Sequence, residues 1–227
     1  MSQVVDLTES VESPSAPPAR VVEAAFLPVT SAVTLGIVRA SSNAFTLGPV
    51  ELLRFGAPET TEDGVRWPIL GGLLAAGPGG FVGFSWRDGR LTGSLRGYRP
   101  SLPGLVYKLT QKQVHHLVTR LFLLQLRGRD PLPGSAATRQ ARTVATAIDL
   151  ALCLSLGRLS LRRTLAITAL YHVGCWAAFG QTLGARLMDI RIVSVDGSQV
   201  TPGQALARLL GDDFAGTAVI EDQVFRD

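Results

Sequence analysis

Lysine is nearly absent from this chain: of 22 basic residues, only Lys108 and Lys112 are lysines. Cysteine is just as scarce. Cys153 and Cys175 are too few for a disulfide framework, and each lies in an apolar run. That predicts two reduced, packed thiols. Histidine occurs three times. His115 and His116 are neighbours, about 100° apart on a helix, so they cannot share a metal as an i, i+4 pair does. One of the two is expected at the core edge and the other in solvent. His172 is distant, and there is no Cys-x-x-Cys and no His-Glu-x-x-His. A structural metal is not expected, and no cofactor is implied. A Gly-x-Ser-x-Gly elbow, a phosphate loop and a dinucleotide fingerprint are missing too, so catalysis is not expected. The run G-P-G-G-F-V-G-F lies between strand-like segments rather than before a helix, and reads as a turn. The first twenty residues have neither a basic n-region nor an apolar h-region. They do not form a secretory signal, and cytoplasmic synthesis with a retained N-terminus is the default.

What the chain does have is apolar content, 46% with a mean hydropathy of +0.25, high for a soluble protein of 227 residues. That length holds one large domain or two small ones. The bias to Arg, Gly, Ala and Leu suggests a GC-rich bacterial genome. Charge is uneven: both ends are acidic, and residues 86–142 are strongly basic. Such a block favours an anionic surface, either phospholipid headgroups or nucleic acid. With no recognisable reader and few exposed aromatics, nucleic acid is the weaker partner.

The fold class expected is α+β. Residues 1–21 are Ser/Pro/Glu-rich and read as a disordered tail. Residues 22–133 read as a β-rich cytoplasmic domain. It would open with a short helix in V-V-E-A-A-F-L and a strand in V-T-L-G-I-V. Short, partly alternating segments follow between Val50 and Arg99, including G-L-L-A-A, separated by Gly/Pro/Asp turns. They predict an antiparallel meander. Asp88-Gly89 is the strongest hairpin signal, since both central turn positions favour positive φ. On F-V-G-F-S-W-R, the face with Val82, Phe84 and Trp86 is the better core candidate. Helical spacing then runs from Leu105 to Arg127. A sheet closed by one long amphipathic helix is similar in pattern to a helix-grip architecture, in which the helix covers an apolar cavity. Pro131, Pro133 and Gly134 place a boundary near residue 134.

Residues 138–210 hold two apolar runs back to back. The first, Thr143 to about Gly157, has about 15 residues; the second, Leu165 to about Leu183, has about 19. A bilayer span needs about 20. A transmembrane hairpin and a buried soluble hairpin are both consistent with these lengths. If the hairpin spans, the positive-inside rule puts both termini in the cytoplasm. Asp149 sits inside the first run, two turns after Arg142. It is either an intramembrane carboxylate lining a polar path or a packing contact to Arg142, His172, Gln181 or Thr182. Two helices cannot enclose a path, so a transport role requires a homo-oligomer. Gly180 and Gly184, four apart, suggest a small-residue face for close helix approach. Arg186 and Arg191 suit anionic headgroups. Val195-Asp196-Gly197-Ser198 reads as a tight turn, Thr201-Pro202 as a helix start, and residues 211–227 as an acidic tail.

These residues carry a resemblance. The stretch A-R-T-V-A-T-A-I-D-L, then Gly180-Gln181-Thr182-Leu183-Gly184-Ala185-Arg186-Leu187, then I-R-I-V-S-V-D-G, resembles the RDD family of bacterial membrane proteins. Arg142 and Asp149 match its helix-one pair, and Asp196 is the candidate second aspartate. The resemblance spans about residues 138–210. Asp189 stands where the family usually has Gly. The resemblance implies an integral location in the cytoplasmic (inner) membrane, and no defined activity. Beside it stand two alternatives: a soluble protein with a helix-grip-like ligand cavity, and a subunit of an oligomeric ion or solute transporter that uses Asp149.

Overall fold

The computed structural model describes residues 4–157, 160–211 and 215–222. The chain divides into two compact units, Met1–Arg127 and Gly128–Asp227.

Unit 1 contains β1 (Val5–Glu12), α1 (Ala19–Val33), β2 (Arg39–Ser41), β3 (Ala44–Leu47), β4 (Val50–Phe55), β5 (Glu59–Thr61), β6 (Gly64–Gly71), β7 (Phe81–Arg87), β8 (Arg90–Tyr98), α2 (Gly104–Leu109) and α3 (Gln111–Arg127). The sheet runs β1-β8-β7-β6-β4-β3-β2, with β5 paired to β6, and every pairing is antiparallel. Between Val50 and Arg99, from β4 to β8, it is the expected antiparallel meander, with β5 off the main path; β2 and β3 extend it beyond the expected bounds. Asp88 and Gly89 have φ of 52° and 73°, the left-handed pair that a tight hairpin requires. Phe84 is buried and Trp86 partly so.

One side chain organises the core. Phe26 of α1 packs its ring against Phe45, Phe55, Trp67, Phe84 and Phe122, with centroids 4.4–6.2 Å away. Helix α3 packs against α1 and against β1 and β8. Polar composition at the N-terminus concealed β1, which stands where a disordered tail was expected. Val11 is fully buried and the strand pairs along β8, so strand pairing outweighs low local hydrophobicity. V-T-L-G-I-V is a turn rather than a strand, because Leu35 and Gly36 adopt φ of 56° and 70°. G-L-L-A-A contributes only an isolated bridge at Ala75. The single expected helix is broken at Thr110 into α2 and α3.

Unit 2 contains α4 (Arg139–Gly157), α5 (Leu161–Phe179), α6 (Leu183–Leu187), β9 (Ile190–Ser194), α7 (Pro202–Leu210) and β10 (Thr217–Glu221). The hairpin is therefore α4 and α5, each of 19 residues. Where they approach, Gly157 lies against Thr164, and a Cβ there would sit 2.2 Å from the Thr164 hydroxyl. Helix α7 starts with a full capping box: Thr201 and Gln204 bond each other's backbone, with Pro202 in the first turn. The expected acidic tail instead supplies β10, paired antiparallel with β9, because A-G-T-A-V-I is apolar enough to be buried. The boundary also lies earlier than residue 134. Arg129 donates to the Thr217 carbonyl, and Ala136 bridges Ile220. The proline-rich segment is thus part of unit 2.

Replacing Phe26 with Ala removes the ring that joins α1 to the sheet and α3. Chemical denaturation of the full chain is expected to show a loss of about 3–5 kcal/mol in unit 1.

Candidate functional site

Two features carry chemistry, one in each unit. In unit 1 a cavity of about 380 Å³ lies between the sheet, α1 and α3. Its wall is made by Leu7 of β1, Phe26 of α1, Phe45 of β3, Phe55 of β4, Val82 and Phe84 of β7, Leu95 of β8, and Val118 and Phe122 of α3. This volume falls in the range of small-molecule sites, about 300–1,000 Å³. Gly93 keeps β8 close to the helix: a Cβ there would sit 2.6 Å from Thr119.

A few polar groups interrupt the apolar wall. Gln111 and His115, one turn apart on α3, both line the cavity. Gln111 donates to the Tyr98 hydroxyl at 2.7 Å, and that hydroxyl donates to the Leu74 carbonyl. Burial pushes Tyr98 and Tyr107 up to about 12, so both remain neutral phenols. Burial, with His116 adding charge repulsion, pushes His115 down from 6.5 to about 4. It is a neutral imidazole at pH 7, and its Nδ1 has no hydrogen-bond partner among the described residues. His116 also lines the cavity and bonds Glu9 of β1. Neither histidine is therefore simply a solvent-facing side chain; both are partly buried.

In unit 2 the centre is Asp149 of α4, which is 3% exposed. Its Oδ1 accepts from the Tyr171 hydroxyl and the Gly184 N–H, both at 2.8 Å. Its Oδ2 accepts from the Thr182 hydroxyl at 2.6 Å. Three donors from α5, α6 and the turn between them thus satisfy a carboxylate that would otherwise be costly to bury. His172 Nε2 stands 4.0 Å from Oδ2. The ring's Nδ1 faces the Thr168 carbonyl at 2.8 Å. A carbonyl only accepts, so Nδ1 carries a proton.

The G-Q-T-L-G-A-R stretch can be accounted for residue by residue. Gly180 ends α5 in the left-handed conformation, φ 69°. Gln181 donates to the Ile190 carbonyl and to Asp222 at 2.7 Å, tying the turn to the strand pair. Thr182 caps α6 through the Ala185 N–H while donating to Asp149. Gly184 has to be glycine: a Cβ would meet the Ala145 carbonyl at 2.1 Å. Arg186 is exposed. Gly180 and Gly184 therefore do not form one small-residue face. They belong to different elements, because the chain turns at Gly180, and only Gly184 approaches α4.

Arg142 is exposed and is not among the partners of Asp149. Asp196 is partly buried in the turn after β9, where it accepts from the Ser198 N–H and hydroxyl. The structure does not bring Arg142, Asp149 and Asp196 into one cluster. Tyr171 was not singled out from sequence. Its signal is a phenol inside an apolar run, a group that needs a partner when buried. Asp189 has φ of 48°, which explains why glycine suits that position.

A helical hairpin whose exit turn closes over a buried carboxylate is the class of structure that unit 2 defines. Residues 162–214 match the model of the RDD family, so the C-terminal third of the chain is similar to that family. The match covers α5, α6, β9 and α7; Arg142 and Asp149 precede it. No curated protein and no solved structure matches the chain.

Asp149→Ala leaves three donors unpaired, two of them buried, and is expected to cost about 3 kcal/mol or more in thermal unfolding. Gly184→Ala should destabilise by about 1–3 kcal/mol, through the clash with Ala145. His115 binds protons less readily folded than unfolded. Its contribution is therefore intact above pH 6.5 and is lost as pH falls toward 4. Melting curves across that window should show a steeper acid loss for the wild type than for His115→Gln.

Proposed function

We propose that this protein is a membrane-anchored, apolar-ligand-binding protein with no bond chemistry of its own. Unit 1 is the binding module, and the RDD-like unit 2 holds it at the cytoplasmic membrane with both termini inside. The observation that carries the binding role is the aromatic- and aliphatic-lined cavity under α3. A well-packed domain of this size ordinarily fills such a space with side chains. Support for the anchor comes from the RDD match and from the outward faces of the hairpin. Leu150, Leu156, Leu161, Leu165, Leu170 and Phe179 are exposed, while Asp149, Thr164 and Thr182 are buried. A buried carboxylate with leucines turned outward suits a lipid surrounding, with the exposed arginines Arg139, Arg142, Arg162 and Arg163 near the helix ends. Nineteen residues also make a helix about 28 Å long, close to the roughly 30 Å hydrocarbon core.

One observation favours a second reading. Among the described residues no helix is long and apolar enough to cross a membrane. On that reading the hairpin is part of a soluble fold and the ligand cavity alone carries the function. A transport role for Asp149 draws less support, since its oxygens are occupied by Tyr171, Thr182 and Gly184.

Alkaline carbonate washing of membranes from expressing cells separates the two. Retention in the pellet supports the anchor; release into the wash, or a detergent-free monodisperse protein, overturns it. The cavity is tested with the fluorescent apolar probe N-phenyl-1-naphthylamine. Saturable binding by the wild type is expected to weaken at least about tenfold in Val118→Trp, which fills the cavity. Equal binding by the two proteins would remove the cavity from the proposal.

A further inference from the structure

The cavity of unit 1 meets the outside at an unusual rim. Thr110 and Val114, at the α2–α3 junction, line the cavity and are exposed, as is Thr8 of β1. They mark its mouth. The neighbours of the lining residues there are large, apolar and turned outward. Leu109 precedes Thr110, Leu73 precedes lining Leu74, and Ile37 precedes lining Val38. All three are exposed, as is Leu105 of α2, by 71%.

Hydrogen bonds tie the Leu73–Leu74 segment to β4 and to the start of α2, and Val38, Leu74 and Thr110 line the same cavity. Leu73 and Leu74 donate to carbonyls of Glu51 and Leu52 on β4, and Ser101, just before α2, donates to the Leu74 carbonyl. The Thr34 hydroxyl, at the end of α1, bonds the Val38 carbonyl. Leu35 supplies an independent observation. It is held at φ 56°, a conformation unfavourable for a side-chain-bearing residue, and its half-exposed side chain recovers little through burial.

Charge at the rim has one dominant sign. The only two lysines of the chain, Lys108 and Lys112, stand on α2 and α3 among these leucines, and Arg39 follows Val38. Neither lysine is ion-paired among the described residues. Of the carboxylates by the cavity, Glu51 is paired with Arg54 at 3.6 Å and Glu9, on the lining itself, with His116. Exposed leucines interleaved with flexible cations suit the boundary of an anionic bilayer: leucines enter the acyl region and lysines reach the headgroups.

We propose that this rim docks the cavity mouth onto an anionic lipid surface, so that the apolar ligand passes between bilayer and cavity without crossing water. This rests on unit 1 being a ligand-binding module. It concerns a face of unit 1 and is separate from the anchoring role of unit 2.

The test follows transfer of a pyrene-labelled alkane from loaded full-length protein to acceptor vesicles. These are phosphatidylcholine with or without phosphatidylglycerol. Loading is measured first, by equilibrium fluorescence. The transfer rate is expected to rise with acceptor concentration and with phosphatidylglycerol. Leu105→Asp with Leu109→Asp should slow transfer about tenfold while loading and melting temperature stay unchanged. Lys108→Glu with Lys112→Glu should abolish the phosphatidylglycerol effect. A rate independent of acceptor concentration, or equal rates for variants and wild type, overturns the docking face while leaving the cavity intact. Self-association lost in Leu109→Asp would make the rim a contact between copies and likewise overturn it. Failure to load any probe defeats the cavity itself, and the docking face with it.

Discussion

A carboxylate taken out of water must be given donors, and unit 2 is built around that requirement. Asp149 on α4 cannot be satisfied by its own helix, whose N–H groups are already used. The donors come from the middle of α5, at Tyr171, and from the cap and first turn of α6, at Thr182 and Gly184. For those groups to converge, the chain must stop α5 at Gly180, reverse through Gln181 and Thr182, and bring the backbone at Gly184 against α4. The left-handed glycine, the capping threonine and the side-chain-free contact follow from one demand. The same turn then delivers the chain into β9, where Gln181, Arg191 and Asp222 secure the strand pair. The polar contact thus fixes the geometry of a hairpin that turns several leucines outward.

Unit 1 solves the opposite problem. Its sheet has abundant aromatic and aliphatic side chains, and Phe26 gathers five of the rings into one cluster. Helix α3 nevertheless does not close down fully on the sheet. Gly93 admits the helix at one point, and farther along Gln111 and His115 occupy positions facing the cavity. Such polar groups tolerate burial only at a cost, which His115 shows in its preference for the neutral state. An apolar space with a few polar groups at one side shares the general make-up of small-molecule pockets.

Much of this was legible from particular residues. Asp88-Gly89 located a hairpin because few dipeptides tolerate two left-handed positions in succession. Thr201-Pro202 located the start of α7. Asp149 stood out because a carboxylate in an apolar run demands a partner, and Thr182 was among the partners considered. Other features were not legible. β1 is polar in composition and is a strand only because β8 offers it an edge. β10 was hidden in an acidic tail. The break at Thr110 left no mark in the helical spacing, which continues across it. Tyr171 looked like one more apolar-run residue until its hydroxyl was seen between Asp149 and the Leu183 N–H.

By itself the sequence determined the local elements: turn chemistry, helix caps, the apolar faces, and the similarity of the C-terminal third to the RDD family. These depend on residues a few positions apart, whose conformational preferences act without the rest of the chain. The tertiary structure alone decided which of those pieces meet. Arg142 and Asp149 share a helix, yet Asp149 pairs with groups more than twenty residues away. Packing, not periodicity, left an unfilled space beneath α3. Long-range contacts are chosen by what the whole fold can bury and satisfy together, and no short stretch of sequence contains that information.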